Sequence, residues 1–397
     1  MKFPQFLKKA ATGRDLLFCL VIAGACVCLS IADTAPESAP VNGIHAKAKV
    51  LSIDDSLIQT HSIIKTGRQT LKVRLLSGPH AGQAMDVGNN LTGKMEFDEY
   101  FEPGDSVLIE YDARDGNLMH GTARGHYRLA LQLVLIAAFG ILLLVVAGGT
   151  GFKAVLSFIF TSLVLWKLYF PLILKGWAPI PLGMGFVALI TGVITFSVGG
   201  LNRRGVAVFA GSLLGASLTC ALAVWFNSEF RLHGAVRPFA ESLLYSGYAD
   251  INLSAVFVAS VFIASSGAVM DLAMDIAASM DEIHRSQPDI GYLAHIRSGL
   301  RVGRAVVGTM TTTLLLAYSS SHVMMFLVFQ AKGFPLQNLL NAPFVAAEIL
   351  NILVGSFGLV TTAPFTAIVA GIIYSRYSPK MQPKNTAEKS GCLKNMS

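Results

Sequence analysis

Two aspartates four residues apart interrupt an otherwise apolar stretch, SSGAVMDLAMDIAASMDEI, Ser265 to Ile283. Residues three and four apart share a helix face, so Gly267, Asp271, Asp275 and Glu282 form one stripe with Ala264 and Ala278. Small residues let a neighbouring helix approach closely. The stripe is therefore expected to face a packed interior or a cavity rather than lipid. An ionisable residue inside a membrane helix is by default a functional candidate. Two carboxylates one turn apart can share a proton or offer hard oxygen ligands to a cation.

The following apolar stretch, GRAVVGTMTTTLLLAYSSSH, Gly303 to His322, starts at the same end. Gly308, Thr309, Thr312 and Thr313 fall in its first turns, so their hydroxyls reach the depth of the two aspartates. With Gly303 they supply small residues for helix packing. Glu348 and Asn351, spaced i,i+3 in a third apolar region with Asn341 upstream, form a second candidate. Each has a plainer reading. Asp271 and Asp275 could pair with Arg301 or Arg304 and lock one helix contact. The threonines could be interhelical hydrogen-bond glue. Glu348 could lie on the wet face of an interfacial helix. His322 reads as a hydrogen-bonded packing residue, and Lys167, beside Trp166 and Tyr169, as an interfacial cation.

The elements that must position these residues follow from composition. The 397-residue chain is 53% hydrophobic and 14% charged. Soluble domains carry about 25% charged residues, so this is expected to be a polytopic α-helical membrane protein. Its net charge of +7 then reports membrane orientation, not nucleic-acid binding. Its five cysteines have no paired CxxC spacing, and neither a metal site nor a cofactor is expected.

An apolar run at 16–32 follows Lys2, Lys8, Lys9 and Arg14 and reads as a membrane anchor, with a cleaved signal as the alternative. Residues 34–126 are polar and read as a small all-β domain of OB or SH3 type. HAKAKVLSI (45–53), RQTLKVRLLS (68–77), AMDVG (84–88) and DSVLIEYD (105–112) alternate, with turn signals between them. Residues 127–376 are expected to cross the membrane repeatedly, near 128–147, 154–173, 180–199, 205–226, 253–273 and 306–328. The region 338–375 is expected to cross once, its first half re-entrant or interfacial. A basic tail, 377–397, follows. Basic residues in alternate links (Arg203 and Arg204; Arg285, Arg297, Arg301 and Arg304; then the tail) place those links in the cytosol. The result is about eight crossings, both termini cytosolic, and residues 34–126 extracytoplasmic.

Catalytic patterns fit poorly. AGGTGFKA (147–154) lacks the spacing and the Lys-Ser/Thr pair of a phosphate loop. The two acids share one helix, whereas an intramembrane aspartyl protease draws them from two. No HExxH and no GxSxG occurs. No catalytic residue is assigned.

The segments GAVMDLAMDIAASMDEI (267–283) and SGLRVGRAVVGTMTTTLLLAY (298–318), with SGPHAGQAMDVGNNLTG (77–93) and FEPGDSVLIEYD (101–112) in the β domain, resemble the YibE/F family of bacterial membrane proteins. The resemblance covers about 45–375. Asp271, Asp275, Gly303, Gly308 and Thr309 match its pattern, whereas Ala305 stands where members tend to carry Asp, and Thr311-Thr312-Thr313 where they tend to include an Asn. It implies a protein of the bacterial cytoplasmic membrane and no particular substrate. Together these features lead to a permease-like expectation: Asp271 and Asp275 relay a proton or cation, with Thr309, Thr312, Thr313, Glu348 and Asn351 along the path. The competing expectation is a non-transporting assembly or sensing protein. Its β domain would bind an envelope partner and its acid pair would be a lock. Lipid and a small solute or ion are the other expected partners.

Overall fold

The computed structural model describes residues 13–32, 43–114 and 117–375. The basic start with Lys2, Lys8 and Lys9, and the tail 377–397, lie outside them. The chain divides into two compact units. One holds the β domain and continues to Leu142; the other holds the first helix together with the chain from Leu143 on.

The β domain is a closed five-stranded barrel of β1 (Ile44–His61), β2 (Ile64–Leu75), β3 (Ala84–Thr92), β4 (Ser106–Arg114) and β5 (Asn117–His126). The strand order is β1-β2-β3-β5-β4, with β3 and β5 parallel and the other neighbours antiparallel. Alternation supplies the interior: Ala46, Ala48 and Val50 on β1, Leu71, Val73 and Leu75 on β2, and Val107, Ile109 and Tyr111 on β4 are buried. Sequence alternation located four of the strands but stopped β1 at residue 53. The hairpin runs on to Ser62, which takes the left-handed backbone (φ 59) at the turn. β5 (NLMHGTARGH) went unread, because its two glycines and few β-branched residues carry no strand signal. Gln69, fully buried, closes the barrel over the 99–101 segment. Its Nε2 donates to Asp55 Oδ1 and to the Phe101 carbonyl at 3.0 Å each, and its Oε1 accepts from the Phe101 N–H at 3.2 Å.

The other unit is helical. Its elements are α1 (Gly13–Ile31), the part of α2 (Leu129–Val164) from Leu143 on, a π-helical turn at Leu165–Tyr169, α3 (Phe170–Leu174), α4 (Pro179–Val198), α5 (Arg203–Glu229) and α6 (Ala240–Tyr245). After these come α7 (Leu253–Ser286), α8 (Tyr292–Ser320), α9 (Val323–Ala331), α10 (Leu336–Asn341) and α11 (Pro343–Ser375). Five stretches are long and apolar enough to cross a membrane: Leu129–Leu174, α4, α5, α7 and α11. A sixth is the pair α8–α9 if its 67° bend lies within one span. The apolar helices suggest a membrane-embedded protein.

Two boundaries depart from the sequence expectation, and a third agrees with it: the spans expected at 128–147 and 154–173 are two helical arms that meet at a kink at Gly148 (φ 56, ψ −125). A Cβ at Gly151 would collide with the Leu143 carbonyl. A straight helix would hold those residues about 12 Å apart along its axis, so the chain bends sharply here. The span expected at 306–328 instead runs Tyr292–Ser320 and breaks before His322. The first half of 338–375 is not re-entrant: only α10 is separate, and α11 is one 33-residue helix with Pro364 inside it.

The core of this unit is α7 with α4, α5, α8 and α11 around it. Phe257, Val261 and Phe262 are buried with Val187, Ala223 and Leu350 at one end. Leu272, Ile276 and Met280 are buried with Ala207, Ala363 and Ala367 at the other. The seam between α5 and α11 is made of reciprocal glycine–threonine contacts. Added Cβ atoms at Gly211, Gly215 and Gly358 would collide with Thr366, Thr362 and Thr219 in turn. Such close backbone approach is how helices gain contact where lipid is as apolar as the side chains.

Candidate functional site

The acid stripe of α7 faces away from the packed interior. Leu272, Ala273, Ile276, Ala277 and Met280 occupy the buried side, and Asp271 and Asp275 are exposed with Ala264 and Gly267. Of the two surroundings expected for the stripe, a packed interior or a cavity, the packed interior is therefore corrected. The helix already spends its inward face on aliphatic packing, and the carboxylates lie on the opposite side. No ion pair within 4.0 Å joins either aspartate to Arg301 or Arg304 among the described residues. The locking contact considered from the sequence is not made within one chain.

Thr309, Thr312 and Thr313 are also exposed, on the outer side of α8. Their hydroxyls donate to the Val306, Gly308 and Thr309 carbonyls at 2.9, 3.3 and 3.0 Å, which leaves oxygen lone pairs free. Of the three glycines expected to pack, only Gly303 does. A Cβ there would lie 2.8 Å from Ala363 Cβ and 3.2 Å from Ile276 Cδ1. Gly267 and Gly308 have nothing within 4 Å of a Cβ position, because both lie on the exposed faces.

Glu348 belongs to a different group. It is 2% exposed in the second turn of α11. Arg237 Nη1, from the segment between α5 and α6, reaches its Oε2 at 3.2 Å, and His322 Nδ1 lies 3.5 Å from the same oxygen. Arg237 Nη1 is also 3.3 Å from His322 Nε2. Arginine only donates, so Nε2 accepts, and Nδ1 has the Ser321 hydroxyl at 2.9 Å and the Tyr318 carbonyl at 3.3 Å as its nearer partners. The guanidinium sits 5.3 Å above the Phe257 ring of α7. Glu348 Oε1 and the Tyr318 hydroxyl are buried without a hydrogen-bond partner among the described residues. Asn351 is buried one turn further along α11.

The structure thus parts the expected path into two groups. Thr362 and Val269 both meet Gly215, so they lie at one depth, two residues from Asp271. Thr362 is 14 residues beyond Glu348, about 21 Å along α11. Arg237 was missed because its partners lie in distant segments, and GAVRPFAE carries no local motif. A third group sits at the far end. Tyr374 donates to Asp281 Oδ1 at 3.0 Å, Arg285 pairs with Asp281 at 2.7 Å, and the buried His295 places Nε2 2.9 Å from the Met280 carbonyl. The rings of His284, His295 and Tyr374 lie 5.2 to 6.0 Å apart.

Lys167 is not a free interfacial cation. Its Nζ donates to the Ala32 carbonyl at 3.1 Å, tying the end of α1 to the π-helical turn. AGGTGFKA forms the Gly148 break within α2 and no phosphate loop.

Comparison with known families settles the kinship. A profile described as YibE/F-like protein matches residues 135–376, and one described as YibE/F family N-terminal domain matches 45–126. The chain belongs to the YibE/F family. The two matched regions are the helical part, from within α2 on, and the barrel. No curated protein matches this YibE/F chain, and no solved structure does.

Proposed function

We propose that this YibE/F protein is a multi-pass permease of the bacterial cytoplasmic membrane that moves a small solute or ion, with Asp271 and Asp275 as its proton or cation relay. The observation that carries this reading is the pair itself: two carboxylates on the face of an apolar 34-residue helix, with no cation within 4.0 Å among the described residues. Charges at bilayer depth are expensive and are kept where they line a pathway or meet a partner. The hydroxyl face of Thr309, Thr312 and Thr313 offers oxygen ligands at a similar depth. Glu348 and Asn351 form a second polar station about 21 Å away along α11, held by Arg237 and His322.

In the proposed topology α1, both arms of the Gly148-broken stretch, α4, α5, α7, α8 and α11 are eight crossings. Both termini are then cytosolic, and the barrel is extracytoplasmic, where it gates access or binds an envelope partner. The Glu348 group then faces the outside and the Asp281 group the cytosol. The test is proton flux in proteoliposomes under imposed ion gradients. Wild type should carry flux, and Asp271→Asn/Asp275→Asn should lose it at equal incorporation and unchanged melting temperature. Equal flux from the double variant, or none from wild type under any gradient, would remove the relay.

A non-transporting sensor is the second reading, favoured by the Arg237–His322–Glu348 contact, which braces the α8–α9 bend as a structural tie would. In that case the acid substitutions are silent and the barrel carries the function.

A further inference from the structure

We infer that the exposed face shared by α7 and α8 is covered by a second copy of this chain, with Asp275 of each copy opposite Arg304 of the other, and Asp271 and Arg301 flanking that pair about one turn to either side. The inference rests on the membrane-embedded reading above and not on transport.

Charge complementarity at matched depth carries it. Gly303 of α8 lies against Ile276 of α7, so Arg304 is level with Asp275, and Arg301 lies one turn toward the same end as Ser279. Both arginines are exposed, and neither reaches an acid within 4.0 Å among the described residues. They cannot do so easily, since α8 turns Gly299 and Gly303 toward α7 and α11 and turns Arg301 and Arg304 away. Two copies inserted with the same orientation are related by a two-fold axis along the membrane normal. Such an axis keeps depth, so residues at equal depth meet. The acidic face of one copy then meets the basic face of the other twice, once on each side of the axis.

The shape of the face agrees. Gly267 and Gly308 stand beside the charges with nothing within 4 Å of a Cβ position. A stripe of small residues open on the outside of a helix admits a partner helix at short range. Within one chain these glycines serve no close contact, and lipid tails offer the carboxylates no counter-charge. For the permease reading, the consequence is that the relay is walled by the partner, and the cargo cation competes with the partner's guanidinium groups for the carboxylates.

The experiment reads stoichiometry and not flux, so the failure of this inference and the failure of transport are separable. Wild type in native-lipid nanodiscs is expected to be dimeric by mass. Asp275→Asn or Arg304→Gln should weaken self-association by about 30-fold or more, as loss of one member of a desolvated charge pair does. The charge-swapped chains Asp271→Arg/Asp275→Arg and Arg301→Asp/Arg304→Asp place like charges on both sides of their own homodimers. Each should be monomeric alone. Co-expressed with different tags they should purify together as a dimer, because both halves of the mixed interface are complementary. An ion pair within one chain would not be restored in this way. A monomeric wild type, dimers that survive the charge swaps, or swapped chains that fail to pair when co-expressed would each overturn the inference.

Discussion

Glu348 and Arg237 are unequal partners, and this asymmetry is testable. Glu348 is 2% exposed by side chain, Arg237 29%. Removing the arginine strands a buried carboxylate; removing the carboxylate leaves a cation that still reaches water and the Phe257 face. Breaking a buried pair from the more buried side's partner costs about 3–5 kcal/mol. Arg237→Met is therefore expected to lower stability by about that amount and Glu348→Gln by clearly less, read as unfolding in detergent. Equal losses would mean that the group is wetter than its geometry implies. In the barrel, Glu99 accepts from Arg128 Nη1 at 2.7 Å and from the His126 N–H at 2.6 Å. Burial pushes its carboxyl up, but the Arg128 guanidinium and the His126 amide outweigh this and hold it below the usual glutamate range. A depressed pKa contributes stability that is present above the unfolded value of about 4.3 and lost as pH falls through the folded one. Melting of wild type should thus be insensitive to this group from pH 7 to about 5 and decline below, with a shallower acid decline in Glu99→Gln. Asp271 and Asp275 were legible as residue types and spacing. Their outward aim was not, because a helical stripe has no inside until its neighbours are placed.

At the scale of elements, the seam of α5 and α11 decides more than any single polar group. Thr219, Thr362 and Thr366 read in sequence as unremarkable apolar-span residues, yet each fits against a glycine of the other helix. Gly215→Val puts two methyl groups where Thr362 and Val269 already stand, and overpacking of this kind costs about 1–3 kcal/mol or more. The expected result is a lower melting temperature and loss of the monodisperse species on size exclusion, whereas Gly140→Val, at a position with nothing within 4 Å, should be neutral. Gly303 and Gly308 show the limit of sequence reading. Both lie in α8 and both are small, but only Gly303 turns toward α11. The barrel shows the converse: alternation on β1, β2 and β4 sufficed because one face of each strand is buried, while β5 is held by backbone pairing to β4 and β3 and its own residues do not alternate.

For the whole molecule, the proposed topology puts the β1–β2 hairpin outside and the α7–α8 link inside. Leu57 near the hairpin tip is 65% exposed, and Asp289 in the link is exposed. In a background without native cysteines, Leu57→Cys should react with an impermeant maleimide on intact cells, and Asp289→Cys only after permeabilisation. The reverse pattern would invert the topology and with it the sides of the two polar groups. By itself the sequence determined that a small β domain precedes a set of apolar helices, where the acids and hydroxyls lie along them, and which family the chain resembles. The first two follow from periodicity and composition over short windows, which local sterics and hydropathy govern; the resemblance rests on the matching segments themselves. Only the tertiary structure decided which way each stripe faces, that α11 runs unbroken, and that Arg237, His322 and Glu348, 85 and 111 residues apart, meet. Those outcomes depend on which helix surfaces bury one another, and no window of sequence contains both surfaces.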